Sequence, residues 1–482
     1  MRRDLAALEG REHDLVIVGG GVHGVAAAWD AAQRGLAVAL VERDDFGAGV
    51  SWNSLKIIHG GLRYLQKADL VRVRESVRER SALLRIAPAL VKPLGFLVPT
   101  RGHGAKGREA LACALWLNDL LSADRNRGLP SESRIPGGRL LSARETLERV
   151  PGLSPEGVNG GALWHDAQVE SSERLTIGFA HAAASAGAAV ANHVEAISFL
   201  REGARVAGVR SRDRFTGREL QVRSRFTLNA AGPGAFDLLR GAGLAPAAVP
   251  FLRAMNLVLA RPAGVAQGVG AISAGRFLFL VPWRSFTMVG TSYEPADKPE
   301  RPDSARAFLE EARGAFPWAD LRAQDVAVVH RGRVPGRDGA AGLATRTLWI
   351  DHHADGVAPG LLTVVGVKYT TARGVAEAAI DQVARRLSRP LPAGRTATTP
   401  LPRARALEGR LEDRTREAVR EEMAVTLEDA LFRRLDLATA GTPREADVAA
   451  VAGVMAAELG WDEVRLAAER RALAAACLEP LE

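Results

Sequence analysis

Cysteine is almost missing from this chain, occurring only as Cys113 and Cys477. Two thiols cannot build a disulfide framework or a cysteine-ligated metal site, so a reducing, cytoplasmic setting is the natural reading and no metal is expected. No apolar run has the length and purity of a membrane-spanning helix. The short charged segment Met1 to Glu12 runs directly into a fold-forming strand and leaves no room for a secretory leader. Zinc-finger spacings, interleaved RNA-binding aromatics and a compact basic arm are also lacking, so no nucleic-acid partner is expected despite a net charge of +8. That charge still suits an anionic substrate or an acidic lipid surface. Peripheral attachment to the inner face of the cell membrane stays open, because it needs only one exposed apolar or basic face.

What the chain does have is length and an ordinary globular balance, 482 residues of which 47% are hydrophobic, enough for two or three domains. Asp14 to Val18 is a short apolar run of the kind buried in a parallel sheet, and it empties into Gly19, Gly20 and Gly21. Helical spacing follows through Val22, Ala26 and Trp29, with Gly35 as the expected stop; Ala37 to Val41 is a second buried strand ending at Glu42. The fingerprint Gly19-x-Gly21-x-x-Gly24 thus sits in its proper context. Gly19 permits the tight turn, Gly21 lets backbone approach a pyrophosphate, and Gly24 lets helix and sheet pack closely. Glu42 stands where a carboxylate can hold the ribose hydroxyls. FAD against NAD is not decided by this unit.

Ser54 to Leu65, read as S-L-K-I-I-H-G-G-L-R-Y-L, resembles the S-S-K-L-I-H-G-G-L-R-Y-L signature of the FAD-dependent glycerol-3-phosphate dehydrogenase family, a branch of the glycine-oxidase and D-amino-acid-oxidase superfamily. Leu228 to Gly234 is similar to that family's V-V-N-A-T-G-P segment. Val281-Pro-Trp283 with Val289-Gly-Thr291 is similar to its substrate-domain strands, and Val365 to Arg373 to its F-G-G-K-L-T-T-Y-R stretch. The likeness runs from about Asp14 to Arg373 and resumes from about Thr415 to Trp461. It implies an α/β chain with a Rossmann-type FAD-binding domain, an inserted mixed α+β substrate domain and a C-terminal helical domain.

The resemblance also implies the site. Lys368, Arg63 and Tyr64 match family active-site residues, with His59 as a further catalytic candidate. Arg346 matches a phosphate-binding arginine, and planar guanidinium groups suit phosphate oxygens. Arg331, Arg333 and Asn256 are the other substrate-side candidates, and two of these positions depart from the family. Arg331-Gly332-Arg333-Val334-Pro335 stands where the family reads S-G-V-R-P, so its arginine is either displaced by one place or replaced by Arg331, and Asn256 stands where it has histidine, so no base is available there. His330, beside the arginine pair, is a weaker candidate. The implied FAD contacts are Gly19, Gly21, Gly24, Glu42, Ser54, Lys56, His59, Gly60, Gly61, Ala231, Gly232, Gly366, Lys368, Tyr369 and Thr370.

The expected activity is oxidation of a small phosphorylated alcohol, sn-glycerol 3-phosphate, to its ketone, with electrons passed to a quinone or other acceptor. A related flavin oxidase of amino acids or 2-hydroxy acids is the nearest alternative, and a non-catalytic flavoprotein with an anion-binding surface is the second. The expected segments are a FAD-binding portion with its flavin-site loop over 1–100, mixed helical and substrate-domain segments over 101–225, a FAD-domain segment over 226–245, and a substrate-binding sheet over 246–335. A last FAD-domain segment over 336–390, a proline- and arginine-rich linker over 391–410 and a helical domain over 411–482 follow. Within them, Glu75, Arg78, Glu79 and Ser81 read as a solvated face, Trp116 as a core residue rather than a membrane anchor, and Val419, Met423, Leu427 and Leu431 as one helix. Thr442-Pro443-x-Glu445 reads as the cap of the next helix, which stops at Gly460.

Overall fold

The computed structural model describes residues 1–104, 107–244, 249–337, 340–405, 408–477 and 481. The segment limits at 245, 246 and 482 lie outside the described residues. Strand His13–Val18 sits in the middle of an eight-stranded sheet because its side chains are apolar on both faces. It pairs in parallel with Val38–Val41 on one side and Glu219–Asn229 on the other. Leu361–Val365 extends the sheet in parallel beyond Glu219–Asn229, and Ala189–Ala191 beyond Val38–Val41. Helix Val22–Gln33 packs between helices Ser172–Ser185 and Ala372–Arg386 over a core that includes Leu15, Ile17, Val25, Trp29, Phe179 and Ile380.

A second sheet, of ten strands, forms the substrate side. Its order from one edge is Ala340–Leu343, Val326–Arg337, Phe251–Leu259, Phe286–Pro295, Arg276–Trp283, Gly268–Ser273, Val91–Arg101, Val158–Val169 and Ile57–Ile58, with Arg139–Leu141 paired to Val158–Val169. The expected α/β class, with a Rossmann unit, a mixed substrate sheet and a helical tail, is the architecture observed.

Four local expectations change. Glu79 and Ser81 are buried, not solvated: the Glu79 carboxylate pairs with Arg373 at 2.5 Å, and Ser81 Oγ donates to the Arg125 carbonyl at 2.8 Å. Trp116 is 69% exposed, because helix Arg108–Leu121 turns its Leu115 and Asn118 face inward. The tail helix breaks after Leu411–Glu422 at Met423, whose φ of 60° is left-handed, and a π-helical turn Asp429–Arg434 follows. The next helix spans Glu445–Leu459 with Arg444, not Thr442, at its N-cap, and closes at Gly460 as expected.

The proline-rich stretch near 390–405 has no regular element, yet it packs closely on the body. Thr396, Leu401 and Ala404 are buried, and the Leu401 amide donates to the Ile86 carbonyl at 2.8 Å. The helical tail has its own core of Leu427, Leu431, Val451 and Met455. It is fastened to the nucleotide sheet by buried charges. Arg433 Nε meets Asp45 at 2.5 Å, Arg434 grips the same carboxylate, and Arg174 meets Glu422 at 2.5 Å.

Candidate active site

The two sheets enclose a continuous cavity of about 2380 Å³ that runs from the first glycine turn to the face of the second sheet. At its nucleotide end the backbone itself is the wall. A Cβ on Gly19 would stand 2.7 Å from the Ala231 Cα, and one on Gly24 would stand 1.8 Å from the Gly19 carbonyl oxygen. Only glycine fits at either place, and Gly19 also holds a φ of 103°. Gly24 therefore packs the turn rather than facing the cavity, which Gly19 and Gly21 line. The Val22 amide donates to Ser51 Oγ at 3.0 Å, so a hydroxyl already stands at the helix start. Glu42 accepts from the Gly20 amide at 2.5 Å and the Asp44 amide at 2.9 Å, and burial raises its pKa against these two bonds.

The turn after Leu361–Val365 lies directly on the first one. A Cβ on Gly366 would be 1.9 Å from His23 Nε2, an atom that is buried and has no hydrogen-bond partner among the described residues. Burial pushes His23 down to about 4, so its ring is neutral. A glycine-lined seat for a pyrophosphate, a carboxylate beyond the second strand and a polar turn at the far end fit an extended dinucleotide such as FAD.

The flavin-site loop is held from behind. Lys56 is fully buried, and its Nζ donates to Glu173 at 2.6 Å, Ser172 at 2.8 Å and the Trp52 carbonyl at 2.6 Å, so its side chain does not line the cavity. Gly60 is likewise behind the wall. Its amide donates to Asp166 at 2.7 Å, and Arg80 meets the same oxygen at 2.6 Å. Ser54, His59, Gly61, Ala231 and Gly232 do line the cavity. His59 Nδ1 is 3.5 Å from Asp166, and its amide donates to Thr370 Oγ1 at 3.1 Å, tying the loop to the second turn. Tyr369 lines the cavity with its ring and donates its hydroxyl to the Ser172 carbonyl at 2.8 Å.

At the second sheet the wall becomes side chains. Lys368 Nζ sits 3.8 Å from the centre of the Tyr64 ring. Burial first, and then the Arg63 charge, lower Lys368 to about 8. Arg63, Tyr64 and Lys368 therefore meet in one compartment, although Lys368 is some 300 residues from the other two in sequence. Arg331 and Arg333 share one strand face and both line the cavity; Arg331 Nε meets Glu300 at 2.9 Å, and the Arg333 guanidinium lies 5.1 Å from the Phe251 ring centre. Asn256 is buried in the wall and accepts from Thr291 Oγ1 at 2.7 Å. Arg346 is exposed and outside the lining, one residue past Thr345, which is in it. His330 points into the core instead: it is fully buried, pushed down to about 3 by burial and Lys56, and bonded through Nε2 to the Thr439 carbonyl at 2.7 Å.

Sequence reading passed over Tyr293 and Asp166 as site residues. Asp166 ends the stretch Ala162-Leu-Trp-His-Asp166, which resembles the family's G-A-x-x-Y-x-D, whereas Tyr293 carries no motif and is found only through its place on the cavity wall.

A family model described as FAD dependent oxidoreductase matches residues 14–382, and one described as the C-terminal domain of alpha-glycerophosphate oxidase matches residues 403–466. The chain is 33% identical over 428 residues to a glycerol-3-phosphate dehydrogenase of Synechocystis sp., covering 84% of this chain and 76% of that one. It is 32% identical over 393 residues to the mitochondrial glycerol-3-phosphate dehydrogenase of Homo sapiens, covering 77% of this chain but only 52% of the human one. The solved glycerol-3-phosphate dehydrogenase of Bacillus halodurans, complexed with FAD, shares the fold with a TM-score of 0.73 at 22% identity, covering 99% of this chain and 97% of that one.

Proposed function

The chain belongs to the glycerol-3-phosphate dehydrogenase family of FAD-dependent oxidoreductases, and from that premise we propose that it oxidises sn-glycerol 3-phosphate to dihydroxyacetone phosphate. The observation that carries the reading is the Arg63–Tyr64–Lys368 compartment, where cations without a carboxylate partner among the described residues end a dinucleotide-shaped cavity. FAD, when bound, supplies the ring that accepts the hydride. Glu42 would hold the ribose hydroxyls, and Gly19, Gly21 and the start of helix Val22–Gln33 the pyrophosphate.

The substrate's phosphate needs fixed donors, and Arg331 and Arg333 supply them from one strand face. Their grip orients the carbinol carbon toward the flavin end, which removes much of the entropic part of the barrier. Lys368 Nζ takes the hydroxyl proton: a lysine held near about 8 has a useful neutral fraction at working pH. Arg63 keeps that proton affinity low and draws the anionic substrate inward. Electrons leave to a quinone or another carrier.

No described helix is long and apolar enough to cross a membrane. We propose peripheral contact through Trp116 and Leu120, 69% and 59% exposed on one helix, and Val71, 79% exposed on the helix packed beside it.

The test is anaerobic absorbance of the purified yellow protein mixed with sn-glycerol 3-phosphate, glycerol, D-lactate or D-amino acids. Rapid bleaching by the phosphate ester alone is expected. Bleaching by an amino or hydroxy acid instead would overturn the substrate assignment.

A further inference from the structure

Lys368 has one close neighbour, and it is not an acid. Its Nζ lies 3.8 Å from the centre of the Tyr64 ring, and among the described residues neither a carboxylate nor a hydrogen-bond acceptor meets it. The pair is made by distant chain: Tyr64 stands in the short helix Leu62–Lys67, and Lys368 in the turn after strand Leu361–Val365. The backbone beneath the ring is fixed, since the Tyr64 amide donates to the Gly61 carbonyl at 2.8 Å and the Asp69 amide to the Tyr64 carbonyl at 3.1 Å. Arg72 also lies over this ring, 5.6 Å from its centre, but Asp69 meets that guanidinium at 3.2 Å. Lys368 is therefore the cation on the ring whose charge no carboxylate matches among the described residues.

An aromatic face carries negative partial charge, so it attracts an ammonium and not a neutral amine, most strongly where water is excluded. On half-buried Lys368 the ring works against burial and the Arg63 charge, which both disfavour the protonated form. Arg63 is the charge among the described residues that acts on Lys368. Of the other titratable groups on the same cavity wall, His59 leans on Asp166 at 3.5 Å, Tyr369 gives its hydroxyl to the Ser172 carbonyl at 2.8 Å, and burial keeps Tyr293 a neutral phenol. The balance matters because the chemistry asks for opposite states in turn. An anionic substrate is drawn in by the ammonium, whereas its hydroxyl proton is taken by the neutral amine.

We propose that Tyr64 is a positioning residue whose ring face holds the Lys368 ammonium and sets the share of Nζ that is free to take a proton. The inference rests on the reading above, in which Lys368 takes the hydroxyl proton of the substrate. The ring alone does this work, and the Tyr64 hydroxyl is not needed for it. That separates the role from a hydrogen bond between the phenol and the substrate, because phenylalanine keeps the ring face and loses only the hydroxyl.

The experiment takes two pH profiles from the FAD-loaded wild type, Tyr64→Phe, Tyr64→Leu and Tyr64→Met. One is kcat/KM for flavin reduction by sn-glycerol 3-phosphate, which follows the proton affinity of the free enzyme. The other is the rate at which acetic anhydride labels Lys368, read by mass spectrometry, which follows the neutral amine whatever the substrate. In the wild type both should rise through about 8. Tyr64→Phe should keep both limbs there, whatever it does to the height of the rate. Tyr64→Leu and Tyr64→Met keep the site apolar without a ring face, and each should move both limbs down by about 0.5 to 1.5 pH units. A labelling limb that stays near about 8 in both ringless variants, or one that moves equally in Tyr64→Phe, would overturn the proposal alone. A wild type whose flavin the ester does not reduce would overturn the functional reading, and the labelling profiles would still decide whether the ring holds the lysine.

Discussion

Two sets of cations lie inside this fold and do opposite work. Lys56, Arg433 and Arg434 are buried and matched, to Glu173 and to Asp45, and they fasten the flavin-site loop and the helical tail to the nucleotide sheet. Lys368 and Arg63 stand at the cavity with no carboxylate partner among the described residues, and the Arg63 charge raises the cost of charge on Lys368. A matched buried pair specifies an arrangement at little net gain in stability, because desolvation offsets the attraction. An unmatched pair of cations leaves its attraction unspent until an anion arrives. The same residue type thus builds in one place and binds in the other, and burial alone does not separate the two cases.

The largest effect should come from replacing one lysine of each kind. Lys368→Met is expected to slow substrate-driven bleaching of the flavin by about two to four orders of magnitude while leaving the melting temperature unchanged or higher. Lys56→Met strands the buried Glu173 carboxylate and should cost about 3–5 kcal/mol in a denaturant melt, with the rate per FAD-loaded molecule largely kept. Exchange of these two outcomes would break the comparison.

A smaller effect is read in pH. Lys368 sits near about 8 against an ordinary 10.5. Between those values the unfolded chain holds a proton that the folded chain has released, so stability rises with pH across that window and is lowest below it. The turnover rate should climb in the same direction as pH passes about 8, because neutral Nζ is the proposed proton acceptor. A Lys368→Met variant that kept both trends would place them on another group. The smallest effect is expected at the surface: Trp116→Ser should change stability by less than about 0.5 kcal/mol, yet weaken cosedimentation with anionic vesicles. Undiminished cosedimentation would remove Trp116 from any membrane contact.

The strand, glycine turn, helix, strand and acid from Asp14 to Glu42 were legible because each step depends on neighbours a few residues away. Failures came where distant chain supplied a partner. Glu79 looked solvated from its helical spacing, and Arg373, nearly 300 residues on, buried it. Lys56 sat within a flavin-loop motif, and Glu173 turned its side chain away from the cavity. Trp116 looked like core, since an aromatic residue on an apolar helix usually is, but nothing packs over that face of Arg108–Leu121 among the described residues.

By itself the sequence determined the Rossmann unit, its need for glycine at positions 19 and 24, the flavoprotein family and the end of helix Glu445–Leu459 at Gly460. Those features are set by backbone sterics and short-range periodicity, which a linear string carries in full. Only the tertiary structure decided which cations are matched and which stand at the cavity without a carboxylate, that Arg63 and Tyr293 share a compartment, and which way the Asn256–Thr291 hydrogen bond points. Such pairings depend on where side chains from separate strands and helices meet, and the chain records that only once it is folded.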